Sequence, residues 1–493
     1  MTMNMNLCRS LDNPPRCSPP QTPLFSFYNR ENTTMLFDSG DTIELFCQAG
    51  FRQGSGLVWT LHHNRILQPI RSGTAEDLPA NLYRIALPVQ GLRPGFYDVR
   101  VRAEGLFPKL HFDGSDVSPE GICTFGWKAE KIPVADTRPP DFRSFWQSAL
   151  EEYRRIPLDP RTESSPELFR GKDIDEYNRK NASLPGNFDP GGCRYDEVLS
   201  WKISFAGPDG RRVFGWAASP AAPGTFPAML VLPGGGNGKR PRPLDHARHG
   251  YFALDLQVHG FDPDADEYPE VPGYLTPPYV FFPLEKSRWH KIYLRAVRAV
   301  DFLAQCPQVD ATKIVTIGGS QGGRLAVVVP ALDPRIAATV PALTHGGCHP
   351  RLVQVCKCNA LPVPDCAAED DFSTEQATNG ENIPDPPPMP ETESARSYRY
   401  YDPMNFGPDL HCPVYFNAGL IDPVSPPYAT WQVFQRIASR DKTFVPLPGL
   451  AHDWSASFDR AAYRWLRTKL NPESPEATFP PSTGRIFPGI NPA

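Results

Sequence analysis

The chain has 493 residues, of which 40% are hydrophobic and 21% charged, so it can bury a core and is not a disordered polymer; its length predicts two or three folded units. Its formal net charge is −5 and it has no long Lys/Arg run, which favours neither nucleic acid nor an anionic membrane as a partner. The sequence contains no stretch of about 18 apolar residues, so no membrane-spanning helix is predicted.

The N-terminal segment, residues 1–30, is polar and rich in proline, and we predict that it is poorly ordered. It lacks the apolar stretch of a signal peptide, so the sequence as it stands predicts a cytoplasmic protein. A mis-assigned start would instead make the protein secreted or periplasmic. The 58 prolines are roughly twice the usual frequency of about 5%, and their clustering is typical of loops and linkers.

Residues 31–125 have the pattern of a small all-β domain. Short β-rich runs recur about every ten residues, separated by turn residues, which is the spacing of a β-sandwich. Apolar and polar residues alternate over 41–47, and Trp59 lies mid-run, where a core aromatic would fit. Residues 94–102, with a tyrosine after a glycine turn, resemble a late strand of immunoglobulin-like modules. We therefore expect an immunoglobulin-like domain. A disulfide between Cys47 and Cys123 is compatible with this domain, but the sequence alone does not determine whether it forms.

Residues 126–140 predict a linker, and residues 141–472 predict an α/β catalytic domain followed by a Pro-rich tail at 473–493. Asp141 is a candidate N-cap of the first helix. The predicted strands are 226–232, 251–256, 313–317, 340–343, 414–418 and 443–447, and the predicted helices include 291–304, one beginning near Gly323, and 457–469. Short apolar strands alternating with helices indicate a mostly parallel sheet covered on both faces.

The sequence Gly-Gly-Ser-Gln-Gly at residues 318–322 follows a predicted strand and precedes a predicted helix. A G-x-S-x-G pattern in this setting is typical of the nucleophile elbow of α/β-hydrolases, in which a sharp turn exposes the serine. A serine hydroxyl also needs a neighbouring base to take its proton. We therefore predict that Ser320 is the nucleophile of a serine hydrolase; the alternative is a Gly-rich turn with an inert serine or a phosphate-binding loop, although the Lys-Ser/Thr pair of the latter is missing.

The base and the acid follow from their order along the chain, which in this fold is serine, acid, histidine. Asp422 comes directly after the predicted strand 414–418, and His452 is the only histidine beyond it. We predict that His452 is the base and that Asp422 orients it. Asp441 is the competing acid, and an Asx turn before proline is the alternative interpretation of Asp422.

The oxyanion hole requires two backbone N–H groups. Gln321, directly after the nucleophile, is expected to supply one. The glycine-rich loop at residues 234–238 follows a predicted strand and is expected to supply the other, from Gly236 or alternatively Gly235.

The 11 cysteines are an odd number, so they cannot all pair within one chain. Cys348, Cys356, Cys358 and Cys366 form a dense group, but their spacing lacks the paired C-x-x-C knuckles of common zinc modules. We expect ordinary thiols there, with a metal site or a disulfide as alternatives.

These motifs resemble the acetyl xylan esterase/cephalosporin C deacetylase family, carbohydrate esterase family seven. The resemblance rests on the G-G-S-Q-G-G elbow at 318–323, the helix at 293–303, the opening at 139–146 and the segments 401–406 and 419–427. It spans about residues 139–470 and implies the triad Ser320, Asp422 and His452, with the amides of Gln321 and Gly236 as the oxyanion hole.

The resemblance further implies removal of acetyl groups from small acetylated sugars or xylan-derived oligosaccharides, through an acetyl-enzyme and without metal or cofactor. Family members without an N-terminal sandwich often assemble as closed hexamers, so a homo-oligomer is one expectation for this chain. Three departures from the family pattern stand out. The family's R-G-Q-G segment is replaced by Gln-Val-His-Gly at 257–260, which predicts loss of the contacts made by its Arg and Gln. The glutamate expected after the predicted catalytic histidine is Asp453, and the N-terminal sandwich is additional.

Other functions fit the same residues. A broad carboxylesterase or a prolyl-oligopeptidase-type peptidase would use the same triad on this fold, since a fold does not determine its substrate. A non-catalytic carbohydrate-binding protein is the third alternative, against which the intact triad argues.

Overall fold

The computed structural model describes residues 25–50, 56–64, 69–103, 110–112, 115–117, 120–134, 136–181, 193–236, 238–269, 287–347 and 393–471. The Pro-rich tail and Cys348, Cys356, Cys358 and Cys366 lie outside these residues, as does most of the predicted disordered segment. The last part of that segment differs from the prediction, because Phe25–Tyr28 pair with residues 46–49 as a β-strand and bury Phe25.

The N-terminal part of the chain folds into two main β-sheets. Its strands are β1 (Phe25–Tyr28), β2 (Leu36–Phe37), β3 (Thr42–Ala49), β4 (Leu57–His63), β5 (Arg71–Thr74), β6 (Glu76–Leu78), β7 (Leu82–Pro88), β8 (Gly95–Ala103), β9 (Leu110–Phe112), β10 (Ser115–Val117) and β11 (Glu120–Trp127). One sheet has the order β1-β3-β7-β6 and the other β2-β11-β8-β4-β5, while β9 and β10 pair with each other.

The side chains between the two sheets agree with the sequence pattern. Ile43, Leu45 and Cys47 point into the core, as the alternation in this segment predicts, and Trp59 is buried as well. Cys47 and Cys123 are both buried free thiols, so the structure shows no bridge between them.

The C-terminal part is built around one ten-stranded sheet. Its strands are β12 (Arg161–Thr162), β13 (Glu167–Arg170), β14 (Glu197–Ala206), β15 (Arg212–Pro220), β16 (Phe226–Leu232), β17 (Phe252–Gln257), β18 (Val309–Gly319), β19 (Ile336–Ala342), β20 (Val414–Gly419) and β21 (Lys442–Leu447). The order is β12-β14-β15-β17-β16-β18-β19-β20-β21, with β13 also paired to β14. The strands from β17 to β21 run parallel, and β14 and β15 extend the sheet in antiparallel fashion.

Helices cover both faces of this sheet, as the prediction of an α/β domain requires. They are α1 (Phe142–Arg154), α2 (Gly171–Lys180), α3 (Leu244–Arg248), α4 (Arg288–Gln305), α5 (Gln321–Leu332), α6 (Glu393–Tyr398), α7 (Pro403–Phe406), α8 (Pro427–Arg436) and α9 (Ala456–Leu470). Alternate residues of β16 face opposite layers: Leu230 joins the core that contains α4 and α5, and Met229 joins the core against α9.

The first helix shows a different cap from the one predicted. Asp141 occupies the N-cap position of α1, but its side chain makes no capping bond. Its carboxylate instead accepts a hydrogen bond from the Tyr400 hydroxyl at 2.5 Å, because the helix start packs against that part of the chain.

The predicted linker at residues 126–140 packs against α8. The Trp431 indole N–H donates to the Ala129 carbonyl at 2.9 Å, and the Trp431 ring meets Phe96 of the N-terminal sheets edge-on. Gln432 donates to the Pro133 carbonyl at 3.2 Å. Because Trp431 is fully buried, the sandwich and the hydrolase part share a continuous apolar core at this junction.

Candidate active site

Ser320 lies at a sharp turn between β18 and α5. Its backbone has φ 58° and ψ −116°, a strained conformation for a residue with a side chain. The helix begins at Gln321, two residues earlier than the sequence predicts. The predicted nucleophile elbow is therefore present, and the strain is the local consequence of turning from strand to helix within one residue.

The elbow glycines allow this close packing. A Cβ atom on Gly318 would lie 2.6 Å from the Gly322 backbone, and one on Gly322 would lie 2.1 Å from the Leu232 carbonyl oxygen. No side chain fits at such distances. The glycines therefore let the helix start directly against the end of the neighbouring strand.

Ser320, His452 and Asp422 form one hydrogen-bonded chain. The Ser320 Oγ lies 2.9 Å from His452 Nε2, and His452 Nδ1 lies 2.8 Å from Asp422 Oδ2. His452 is 132 positions from Ser320 and 30 from Asp422 in sequence, so only the fold brings the three together. The structure thus places all three predicted side chains in hydrogen-bond contact.

Asp422 is held by its own loop as well as by the histidine. It is fully buried, and its Oδ1 accepts from the backbone N–H groups of Val424 and Ser425, both at 2.8 Å. The contacts of an Asx turn and the contact with His452 are therefore both present, because each uses a different oxygen. The two backbone amides fix the carboxylate plane and leave Oδ2 for His452.

This arrangement has the chemistry of an activated serine. A carboxylate at Nδ1 keeps the imidazole proton on that nitrogen, so Nε2 accepts the serine proton. A carboxylate in this position can also stabilise the imidazolium that forms when a serine attacks a carbonyl carbon. The competing acid, Asp441, instead forms an ion pair with Lys469 at 2.6 Å.

The predicted oxyanion-hole residues belong to the start of α5 and to the glycine-rich loop, which approach each other at the elbow. Gln321 is the first residue of α5, where helix amides have no intrahelical acceptor. The glycine-rich loop passes beside the elbow, since a Cβ on Gly234 would lie 3.7 Å from the Gly319 carbonyl oxygen. Gly236 is exposed on this loop and has φ 107°, which suits glycine. The choice between Gly236 and Gly235 as second donor stays a prediction.

The segment at residues 257–260 makes contacts that the sequence analysis did not anticipate. The replacement of the family's R-G-Q-G predicts lost contacts beside the active site. Instead, the Gln257 side chain donates to the Gly238 carbonyl at 3.1 Å and accepts from the His259 N–H at 3.0 Å. The substituted residues therefore make their own contacts with the glycine-rich loop.

Trp454 is a second feature that the sequence analysis missed, although it lies only two residues after His452. Its ring packs on the elbow, leaving no room for a Cβ on Gly319, where the nearest ring carbon would be 2.6 Å away. The buried Asp459 forms a hydrogen bond with Trp454, and burial raises the pKa of this carboxyl to about 7. The histidine loop is thus fixed against the nucleophile turn by an aromatic contact.

Within the described ranges, no group of three or more His, Cys, Asp or Glu side chains is arranged to hold a metal ion. None of the helices in the same ranges combines the length and apolarity that a bilayer span requires.

A known protein family and individual proteins resemble this chain in sequence. Residues 167–469 match the profile of the acetyl xylan esterase (AXE1) family. Acetyl esterase Axe7A of Xylanibacter ruminicola is 23% identical over 390 residues, which cover 77% of this chain and 75% of that protein.

Two solved structures share the fold. An acetyl xylan esterase from Paenibacillus sp. R4 is 22% identical, with a TM-score of 0.50, and covers 68% of this chain and 96% of its own. Acetyl xylan esterase 1 from Thermoanaerobacterium sp. JW/SL YS485 has the same TM-score of 0.50 at 18% identity, again over 68% of this chain and 96% of its own.

Proposed function

Because the chain belongs to the acetyl xylan esterase family and is a serine esterase that deacetylates carbohydrates, we propose that it acts through an acetyl-enzyme formed on Ser320. The observation that supports this assignment is the continuous hydrogen-bond chain from Ser320 through His452 to Asp422. The fold is that of an α/β-hydrolase, and membership of the family sets aside the peptidase and non-catalytic alternatives.

In the first half-reaction, Ser320 Oγ attacks the acetyl carbonyl carbon while its proton moves to His452 Nε2. The carbonyl π electrons move to the oxygen, whose negative charge is stabilised by the amides of Gln321 and Gly236. When this intermediate collapses, the bond to the sugar oxygen breaks, and His452 returns its proton to that oxygen. The deacetylated sugar leaves and the acetyl group stays on Ser320.

In the second half-reaction, water takes the place of the sugar. His452 takes a proton from the water as its oxygen attacks the acetyl-enzyme, and the resulting intermediate releases acetate as His452 protonates Ser320 Oγ. Asp422 stabilises the imidazolium in both steps. No group outside the triad, the loop amides and water is needed to balance the reaction.

As the substrate, we propose acetylated xylan-derived oligosaccharides, in line with the family. We also propose that the N-terminal domain is immunoglobulin-like. This is supported by its two facing sheets and by Tyr97, whose hydroxyl donates to the Arg93 carbonyl at 2.7 Å, as in a tyrosine corner. A homo-oligomer stays a prediction, which light scattering on the purified protein tests.

The mechanism is tested with p-nitrophenyl acetate and acetylated xylo-oligosaccharides as substrates. Ser320→Ala should abolish turnover, and rapid acid quenching of the wild-type reaction should yield an acetylated peptide that contains Ser320. Turnover by Ser320→Ala at the wild-type rate, or an acetyl group on another residue, would refute the assignment.

A further inference from the structure

Trp454 is a large apolar side chain that remains exposed beside the active site. The described part of the chain exposes four large hydrophobic side chains, namely Tyr28, Leu168, Val424 and Trp454. Single hydrophobic residues on a protein surface are ordinary and need no function. Trp454 differs from the others in its position. It follows His452 by two residues, and its ring packs on Gly319, the residue before Ser320 in the elbow.

The indole meets the elbow with the edge of its six-membered ring. A Cβ atom on Gly319 would lie 2.6 Å from Cζ3 of Trp454 and 3.5 Å from both Cε3 and Cη2, the neighbours of Cζ3 in the ring. Equal and longer distances to the two neighbours place this atom beyond Cζ3 in the ring plane, since an atom above the ring would be almost equally far from all three. The elbow therefore leaves both faces of the indole uncovered, and the residue as a whole is 38% exposed.

This contact places the indole within reach of a substrate at Ser320. Neighbouring Cα atoms are about 3.8 Å apart and a Cα–Cβ bond is about 1.5 Å long, so the ring begins within about 8 Å of the Ser320 Cα atom. A sugar residue spans a distance of this order. When the acetyl carbonyl lies at Ser320 Oγ, the sugar that carries the acetyl group is therefore close enough to contact Trp454.

The chain on both sides of Trp454 holds the indole in place. The Trp454 N–H donates to the Asp453 carboxylate at 2.7 Å. The next residue, Ser455, caps helix α9 by accepting from the Phe458 N–H at 3.3 Å. Together with the contact on the elbow, these bonds make the indole a rigid surface, and binding to a rigid surface costs little conformational entropy.

The chemistry of xylose suits such a surface. In the β-pyranose chair of xylose all hydroxyl groups are equatorial, so both faces of the sugar ring present axial C–H bonds. These hydrogens carry a small positive charge and are attracted to the negatively charged face of an aromatic ring. An exposed indole beside the elbow therefore fits a sugar ring that lies flat on it.

We propose that Trp454 is a sugar-binding residue, on whose indole face the acetylated xylopyranose ring stacks while its acetyl group lies at Ser320. This inference rests on the proposed function, because it requires a carbohydrate ester as the substrate. In this assignment the triad acts on the acetyl group of any ester, and Trp454 recognises the leaving sugar. Trp454 is thus a determinant of substrate specificity.

The test compares Trp454→Leu and Trp454→Phe with the wild-type protein on acetylated xylobiose and on ethyl acetate, whose leaving group has no ring. Any disturbance of the elbow lowers both rates alike, so the ratio of the two kcat/KM values isolates the sugar contact. For Trp454→Leu this ratio should fall about 3- to 10-fold, through a higher KM for acetylated xylobiose. Trp454→Phe keeps an aromatic face and should recover part of the ratio.

Binding without chemistry is measured in the Ser320→Ala background. By calorimetry, adding Trp454→Leu should weaken the binding of acetylated xylobiose by about the factor by which the ratio falls. Tyr28→Leu is the matched control, because it removes another exposed aromatic side chain, on β1 of the N-terminal sheets, and should change neither the ratio nor the affinity.

The proposal is overturned if Trp454→Leu keeps the ratio and the affinity of Tyr28→Leu. If Trp454→Leu does not fold, Trp454→Met decides the question by the same ratio, since methionine fills more of the space without an aromatic face. A wild-type protein that hydrolyses ethyl acetate but no acetylated sugar would instead overturn the proposed function, so the two failures are distinguishable.

Discussion

Replacing Asp422 by asparagine tests the tautomer argument, because the change removes a charge while keeping the shape of the side chain. Val424 and Ser425 both donate to Oδ1 at 2.8 Å, so the side-chain oxygen of the Asp422→Asn variant has to stay on that side. The amide nitrogen of the variant then takes the place of Oδ2 and donates to His452 Nδ1. Nδ1 must become an acceptor, which moves the ring proton to Nε2, where it blocks proton transfer from Ser320.

The wrong tautomer should lower kcat by about 10⁴-fold, as this substitution does in Ser-His-Asp triads, which corresponds to about 5.4 kcal/mol of transition-state stabilisation. The assay is the steady-state hydrolysis of p-nitrophenyl acetate near neutral pH. Asp441→Asn is the matched control, because it makes the same change at the competing acid and should leave kcat unchanged. A kcat for Asp422→Asn within about tenfold of the wild type would refute the reasoning.

Three further changes test the surrounding structure. Gly322→Ala places a Cβ 2.1 Å from the Leu232 carbonyl and should destabilise the fold by about 2 kcal/mol or more, and an unchanged urea midpoint would contradict this packing. The pKa of Asp459 is raised from 3.8 to about 7, so its stabilising contribution is complete below pH 3.8 and is lost as the pH rises to about 7. Asp459→Asn should therefore raise the melting temperature at about pH 8 and lose this advantage near pH 4; an equal difference at both pH values would show that ionisation is not the cause. Trp431→Ala should cost about 3–5 kcal/mol, measured by chemical denaturation, because it empties the core shared with the sandwich. A loss below about 1 kcal/mol would mean that the junction contributes little.

The contact between Ser320, His452 and Asp422 could be predicted from sequence because each residue follows a strand end in a fixed chain order. The elbow motif identifies Ser320 directly. His452 is the only candidate for the base, because no other histidine follows Asp422. Strand ends of a parallel sheet meet on one side, so these residues converge even though 132 positions separate Ser320 from His452. The start of α5 was harder to predict, because the glycines after Ser320 resemble a turn in the sequence. In the structure they form the first helical turn, which packs against Leu232.

The contacts that support the site could not be predicted in the same way. The bond from Gln257 to Gly238 and the packing of Trp454 on Gly319 join segments that are distant in sequence and follow no local period. The change at residues 257–260 marked the right place but indicated a loss, because a motif comparison shows which residues are missing and not which new bonds replace them. The contact between Trp431 and Ala129 is of the same kind.

The structure suggests why the N-terminal sandwich is joined so closely to the hydrolase part. Helix α8 begins at Pro427, shortly after Asp422, and the sandwich and its following segment bury Trp431 on that helix. The loop that carries Asp422 is therefore fixed at one end by β20 (Val414–Gly419) and at the other by a helix packed on both parts of the chain. A shift of α8 would move the Asx turn that fixes the carboxylate plane, so removing the sandwich should affect the orientation of His452 as well as overall stability.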